Sequence, residues 1–160
     1  MENTEVWKNE DWFLQWLVNL VNGTELRLPI TLNVGGLVVS GMLTSGHKYF
    51  KYFSETIFAE VKSENTNDGI NKVRNYINDL GNVYIKDSEQ INASQLESDD
   101  SKQKPVKPDP IQPSYIHIMD ARFYHNSGQP IPSNQGVFWR GKISSVDAFT
   151  YGSLSVAQNS

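Results

Sequence analysis

The chain has 160 residues, enough for one domain with a real hydrophobic core. Its formal net charge of -4 argues against a general nucleic-acid binder. It has no cysteine, which excludes disulfides, thiolate zinc sites and cysteine nucleophiles. The start, MENTEVWKNEDW, lacks a basic leader region, and no apolar run approaches the roughly 18 residues of a membrane-spanning helix. The expectation is a soluble, cytoplasmic protein without a membrane span.

Residues 10–22, EDWFLQWLVNLVN, carry helix signals at both ends. Asn9 or Asp11 can cap the start and Gly23 sits just past the end. Phe13, Leu17, Leu20 and Val21 recur at helical spacing, with Trp12 and Trp16 one turn apart beside them. That wide apolar face is expected to pack on a sheet. An exposed Trp12–Trp16 edge, suited to a partner or a membrane surface, is the less favoured reading, because large exposed apolar patches are uncommon in soluble monomers.

LRLPITLNV, residues 26–34, alternates: Leu26, Leu28, Ile30, Leu32 and Val34 share one face. Pro29 cannot donate to a ladder, so there the strand must lie at an edge or face solvent. Asn33-Val34-Gly35-Gly36 makes the turn, and LVVSGML, 37–43, returns as the second strand. Gly41 inside it predicts a bulge or bend of the kind that curls a sheet toward a barrel.

After a Thr44 or Ser45 cap, Tyr49, Phe50, Phe53, Ile57 and Val61 follow a helical pattern, although the aromatic residues leave an extended start through Tyr52 open. A third helix is predicted over roughly 68–80, with Ile70, Val73, Ile77 and Leu80 on one stripe and Gly81 at its end. Residues 86–113 have no aromatic residue and gather Pro105, Pro108, Pro110 and Pro113. Acids (Glu97, Asp99, Asp100) precede lysines (Lys102, Lys104, Lys107) there, and the stretch reads as a disordered, charged insertion. Strands are expected at 115–125, 137–145 and 146–156, with a loop at 127–136.

The fold class expected is α+β: a small, strongly curved antiparallel sheet or barrel, of the Sm- or SH3-like kind, with an N-terminal helix and one or two inserted helices. Residues 1–85 form its first part, 86–113 the insertion, and 114–156 the strands that complete the same domain.

GVFWRGK, 136–142, has the spacing of a phosphate loop, G-x-x-x-x-G-K-[ST]. That loop needs small residues whose N–H groups wrap phosphate at a helix N-terminus. Here the interior is Val137, Phe138, Trp139 and Arg140, Ile143 replaces the hydroxyl residue, and no helix follows. His117, Asp120 and His125 invite a metal reading, but on a regular strand His117 and Asp120 point to opposite faces. A hydrolase elbow around Ser40 would need glycine where Val38 and Met42 stand. No catalytic, metal or cofactor site is expected, and the protein is not read as an enzyme.

As a strand, 137–143 sets Val137, Trp139, Gly141 and Ile143 on one face, with Gly141 making room for a large ring. Phe138, Arg140 and Lys142 lie on the other. Arg140 then either stacks on Phe138 or pairs with Asp147 or Asp120 on a wet face, or belongs to a protein-contact patch.

TLNVGGLVVSGMLTSGHKYFKYFSETI (31–57), YIHIMDARFYH and GVFWRGKISSVDAFTYGSLS together resemble the gas vesicle accessory protein U family. The resemblance rests on the glycine-turned hairpin, the KYFKYFSE segment, the I-H-hydrophobic strand and the distinctive FWRGKI-x-x-VD-x-F block. It implies a non-enzymatic accessory role, with reversible self-association that gathers gas vesicles into clusters. The partners implied are the protein itself and gas vesicle proteins. Carried over, the candidate contact residues are Phe138, Trp139, Arg140, Gly141, Lys142 and Asp147. The alternative is an Sm-like small-barrel module for single-stranded nucleic acid, prompted by L-x-V-G-G-x-x-x-x-G-x-L at 32–43 and disfavoured by the acidic charge balance.

Overall fold

The computed structural model describes residues 11–24, 26–60, 68–96, 113–125 and 127–154. Its elements run α1 (Trp12–Asn22), β1 (Leu28–Val34), β2 (Leu37–Thr44), α2 (Gly46–Glu60), α3 (Asp68–Leu96), β3 (Tyr115–Tyr124), β4 (Pro130–Ile131), β5 (Val137–Lys142), a 3-10 turn (Ile143–Ser145) and β6 (Ala148–Tyr151). The strands form one six-stranded antiparallel sheet in the order β4-β3-β2-β1-β6, with β5 also paired to β3. The α+β class holds.

The β1–β2 hairpin turns tightly because Gly35 and Gly36 both take positive φ, 58° and 84°, between the register pair Val34↔Leu37. That is the two-residue turn whose twist matches antiparallel strands. Pro29 is tolerated because β6 pairs with β1 only from Ile30 onward, while the Pro29 carbonyl accepts from Gly152 N at 2.8 Å. A residue's N and C=O point the same way across a strand, so the missing N–H falls at the end of the β6 ladder.

Gly41 does mark an irregularity, but the extra residue lies opposite, on β3. Ser40 pairs with Arg122 and Met42 with Met119, so β3 takes three steps where β2 takes two. Asp120 carries the strain at φ 52°. A Cβ at Gly41 would stand 2.7 Å from Ile118 Cγ2 and 2.8 Å from the Met119 carbonyl oxygen. Only a glycine lets the bulged strand pass so close.

The bend does not close a barrel. β6 pairs with β1 alone, and β4 and β5 pair with β3 alone, so among the described residues the sheet stays open. Its apolar face is instead covered by α1. Leu14, Val18 and Val21 meet Ile30, Leu32, Val39, Leu43, Ile116, Ile118, Ala121 and Ile143 in one buried cluster. With a helix filling that face, the sheet need not fold on itself to bury it.

Asp11 is the cap of α1, accepting from Phe13 N at 2.9 Å and Leu14 N at 3.1 Å. The buried stripe is Leu14, Gln15, Val18 and Val21, one position round from the predicted one. The Gln15 side chain reaches the Pro113 carbonyl at 3.4 Å. Ser45 caps α2, its hydroxyl accepting from Lys48 N at 3.3 Å, and the helix forms without an extended start.

α3 corrects two boundaries. It runs through Gly81 to Leu96, so residues 86–96 of the expected insertion are helical; residues 97–112 lie outside the described residues. Gly81 does not end the helix because its missing side chain is used for packing. A Cβ there would stand 3.2 Å from the His47 carbonyl and from Phe50 Cβ, so α3 passes α2 closely. The predicted stripe splits accordingly: Ile70 and Ile77 are half-buried, while Val73 and Leu80 are exposed.

Candidate interaction surfaces

β5 behaves as a strand, and its two faces do different things. Gly141 pairs with Ile116 and Trp139 with Ile118, which puts both on the α1 side of the sheet. The half-buried Trp139 packs against the core, and its six-membered ring occupies the space where a Gly141 Cβ would be. Gly141 thus makes room for a ring, as its position in the alternation predicts, and the ring is that of Trp139 itself.

On the opposite face, His117 pairs with Arg140 and Tyr115 with Lys142. This is the side covered by α2 and α3. Phe138 is half-buried, its ring stacked on Tyr52 at 3.8 Å with planes 12° apart. The Arg140 guanidinium lies 3.5 Å from the Tyr115 ring centroid, and its Nε donates to His117 Nε2 at 3.3 Å. It neither stacks on Phe138 nor pairs with Asp147 or Asp120. Tyr115 claims it because that ring stands beside it on the neighbouring strand, while Asp120 accepts from Gly136 N and pairs with Arg122 at 3.0 Å.

His117 is fully buried among Tyr49, Phe50 and Tyr84, with ring centroids 4.8, 6.0 and 5.4 Å away. Burial, with the Arg140 charge adding to it, lowers its pKa from 6.5 to about 3. The ring is therefore neutral, and because Nε2 accepts, its proton sits on Nδ1. Burial also raises the Tyr49 hydroxyl above its ordinary value. The bulge breaks the regular alternation that separates His117 from Asp120. Among the described residues no group of three or more His, Asp or Glu side chains gathers as a metal site.

Asp147 has a structural task. Its carboxylate accepts from Gly35 N at 2.7 Å while its own N–H bonds to the Asn33 carbonyl at 2.9 Å, clamping the β1–β2 turn to the chain entering β6. The candidate contact residues therefore do not converge. Phe138, Arg140 and Lys142 share one face, Trp139 takes the other, and Asp147 stands at the hairpin end.

Against the expected packing of the whole apolar face of α1 on the sheet, its Trp12–Trp16 edge is exposed. Trp12 is 76% exposed, Phe13 44% and Trp16 51%. Phe13 links the two tryptophans, with ring centroids at 5.7 and 5.9 Å, and reaches Phe149 on β6 at 5.8 Å. Tyr151, also on this face by its pairing with Ile30, is 76% exposed. The signal was present: a helix apolar on nearly every side cannot hide all of it against one sheet.

The small-barrel architecture behind the nucleic-acid alternative is absent from the described residues, and the Phe138 ring it would offer to a base is already stacked on Tyr52. Fold and surfaces together define an α+β protein with an open sheet, covered by a helix on one face and a helical hairpin on the other. The chain belongs to the gas vesicle protein GvpU-like family, whose profile matches residues 11–154. No curated protein and no solved structure matches it. Among the described residues no helix is long and apolar enough to cross a membrane.

Proposed function

We propose that this gas vesicle-associated protein is a cytoplasmic, non-enzymatic accessory factor that acts by protein–protein contact and gathers vesicles through reversible self-association. The observation that carries the reading is the exposed Trp12–Phe13–Trp16 platform, continued across the sheet edge by Phe149 and Tyr151. Aromatic side chains of this kind dominate contact energetics at protein interfaces. Its position adds a second argument. The platform lies on the α1 side of the sheet, whereas Phe138, Arg140 and Lys142 lie on the side of α2 and α3. A protein that links particles needs two independent surfaces, and this fold supplies them on opposite faces.

The test uses buoyancy and sedimentation. Gas-filled particles rise on centrifugation, so purified protein mixed with isolated gas vesicles is expected to co-float with them. Alone, it is expected to show concentration-dependent, reversible assembly. A protein that stays strictly monomeric over a broad range of concentration and salt, and remains in the subnatant, overturns the proposal.

A further inference from the structure

On one side the sheet ends at β6, which pairs with β1 and, among the described residues, with no other strand. The ladder fixes which of its backbone groups are left over. Gly152 N donates to the Pro29 carbonyl, so Thr150, two residues back in the alternation, also turns its N–H and C=O toward β1, opposite Thr31. Phe149 and Tyr151 therefore turn theirs outward, to the edge, and no described backbone group answers them. Edges of this kind are normally blunted by charge, by proline or by a covering segment. The far side of the sheet follows that rule, since β4 opens on Pro130 and β5 carries the exposed Arg140 and Lys142. The β6 sequence AFTY has neither charge nor proline, and Ala148, Thr150 and Tyr151 are exposed.

The groups along this edge fit a second copy of themselves. When two β6 strands meet antiparallel about a two-fold axis, one register sets Phe149 opposite the second copy's Tyr151. It satisfies the outward groups of both residues in both copies. A shift of two residues either way sets one of them against itself and the other against Asp147 or Ser153. The Asp147 N–H is already bound to Asn33, and Ser153 follows Gly152, where φ of 110° turns the chain out of the strand. The side chains agree with the backbone. Phe149 and Tyr151 both lie on the α1 side, through their pairing with Leu32 and Ile30, so each meeting is aromatic on aromatic. On the other side Thr150 meets Thr150. Both are favourable cross-strand neighbours, and no like charges are opposed.

We infer that β6 is a self-association edge, on which two copies pair β6 to β6 and join their sheets into one. This rests on the self-association reading above and names the surface that carries it. The contact is isologous, with the two-fold axis perpendicular to the joined sheet, so both α1 helices lie on the same side. Phe13 already reaches Phe149 at 5.8 Å, and the second copy's Tyr151 arrives beside that ring. The two aromatic platforms thus adjoin. A strand of four residues offers few ladder bonds, which keeps the contact reversible.

The experiment uses the full chain and is placed at Thr150, the exposed residue on the two-fold axis. Thr150→Lys and Thr150→Glu each set like charges face to face. Each alone, with an unchanged circular dichroism spectrum, is expected to lose association in analytical ultracentrifugation about tenfold or more. An equimolar mixture is expected to regain it, because lysine then meets glutamate. A second measurement does not depend on charge. The chain has no cysteine, and Thr150 with its copy forms a non-hydrogen-bonded pair whose Cα atoms lie about 4.5 Å apart, within disulfide reach. Thr150→Cys treated with diamide is expected to cross-link into dimers at least tenfold faster than Tyr76→Cys, on the exposed face of α3. Suppose wild type associates while the charged variants match it, the mixture stays apart, or the two cysteine variants cross-link equally fast. Any of these results overturns the β6 edge as the site and leaves the self-association reading standing. A monomeric wild type overturns both.

Discussion

His117 Nε2 accepts a hydrogen bond from Arg140 Nε at 3.3 Å, across neighbouring strands and beneath the α2–α3 hairpin. A permanently charged side chain thus fixes the tautomer of a buried neutral one, and the same pair anchors the helical hairpin to the sheet through Tyr49, Phe50 and Tyr84.

That relationship fixes a pH dependence. The His117 pKa falls from 6.5 in the free side chain to about 3 in the fold. Between those values the unfolded chain binds a proton that the folded chain refuses, so stability falls as pH drops through that window. The slope this one group adds is at most about 1.4 kcal/mol per pH unit. Denaturant unfolding at a series of pH values is expected to show wild type losing stability more steeply between pH 6.5 and 3 than His117→Gln. The carboxylates common to both proteins cancel in the difference. Equal slopes would show that the imidazole is not buried neutral.

Gly46 sets how closely α3 lies on α2. A Cβ there would stand 2.6 Å from the Tyr84 ring. In an open helix position Gly→Ala stabilises by about 0.4–1 kcal/mol; overpacking costs about 1–3 kcal/mol. Overpacking wins, and Gly46→Ala is expected to lower stability by about 1–2 kcal/mol in a denaturant titration. A stabilised variant would mean that Tyr84 has room to move.

These cases separate what sequence alone can read from what it cannot. The β1–β2 hairpin, the strand at GVFWRGK and the space at Gly141 were legible because alternation and glycine act locally. The side taken by α1 was not, since nearly every side of WFLQWLVNLV is apolar and only the sheet selects Leu14, Val18 and Val21. The end of α3 was misplaced for the same kind of reason. Gly81 looks like a stop until His47 and Phe50 fill the space beside it. The bulge at Gly41 was visible, but not that its extra residue belongs to β3, eighty positions away in the chain. The partner of Arg140 depended on the same long-range register, which places Tyr115 next to it.

Asp147 is expected to prove a clamp and not a contact. Its bond to the exposed Gly35 amide is a charge-assisted one at 2.7 Å. Asp147→Ala should therefore cost about 1 kcal/mol and speed hydrogen exchange at Gly35, with association at low salt unchanged. A variant of normal stability that no longer associates would return Asp147 to the contact surface.

The α1 platform offers the sharpest separation of stability from function. Trp12 and Trp16 are 76% and 51% exposed, so neither holds the core together, and surface substitutions of this kind usually stay within about 0.5 kcal/mol. Trp12→Ser/Trp16→Ser should consequently unfold at nearly the wild-type denaturant midpoint. If the platform is the vesicle-facing surface, removing two aromatic anchors worth about 2 kcal/mol or more each should weaken co-flotation at least tenfold. Self-association, assigned to the backbone edge of β6, should persist in the same variant. Loss of both properties together would place the two contacts on one surface, and retention of both would leave the aromatic platform without a role in binding.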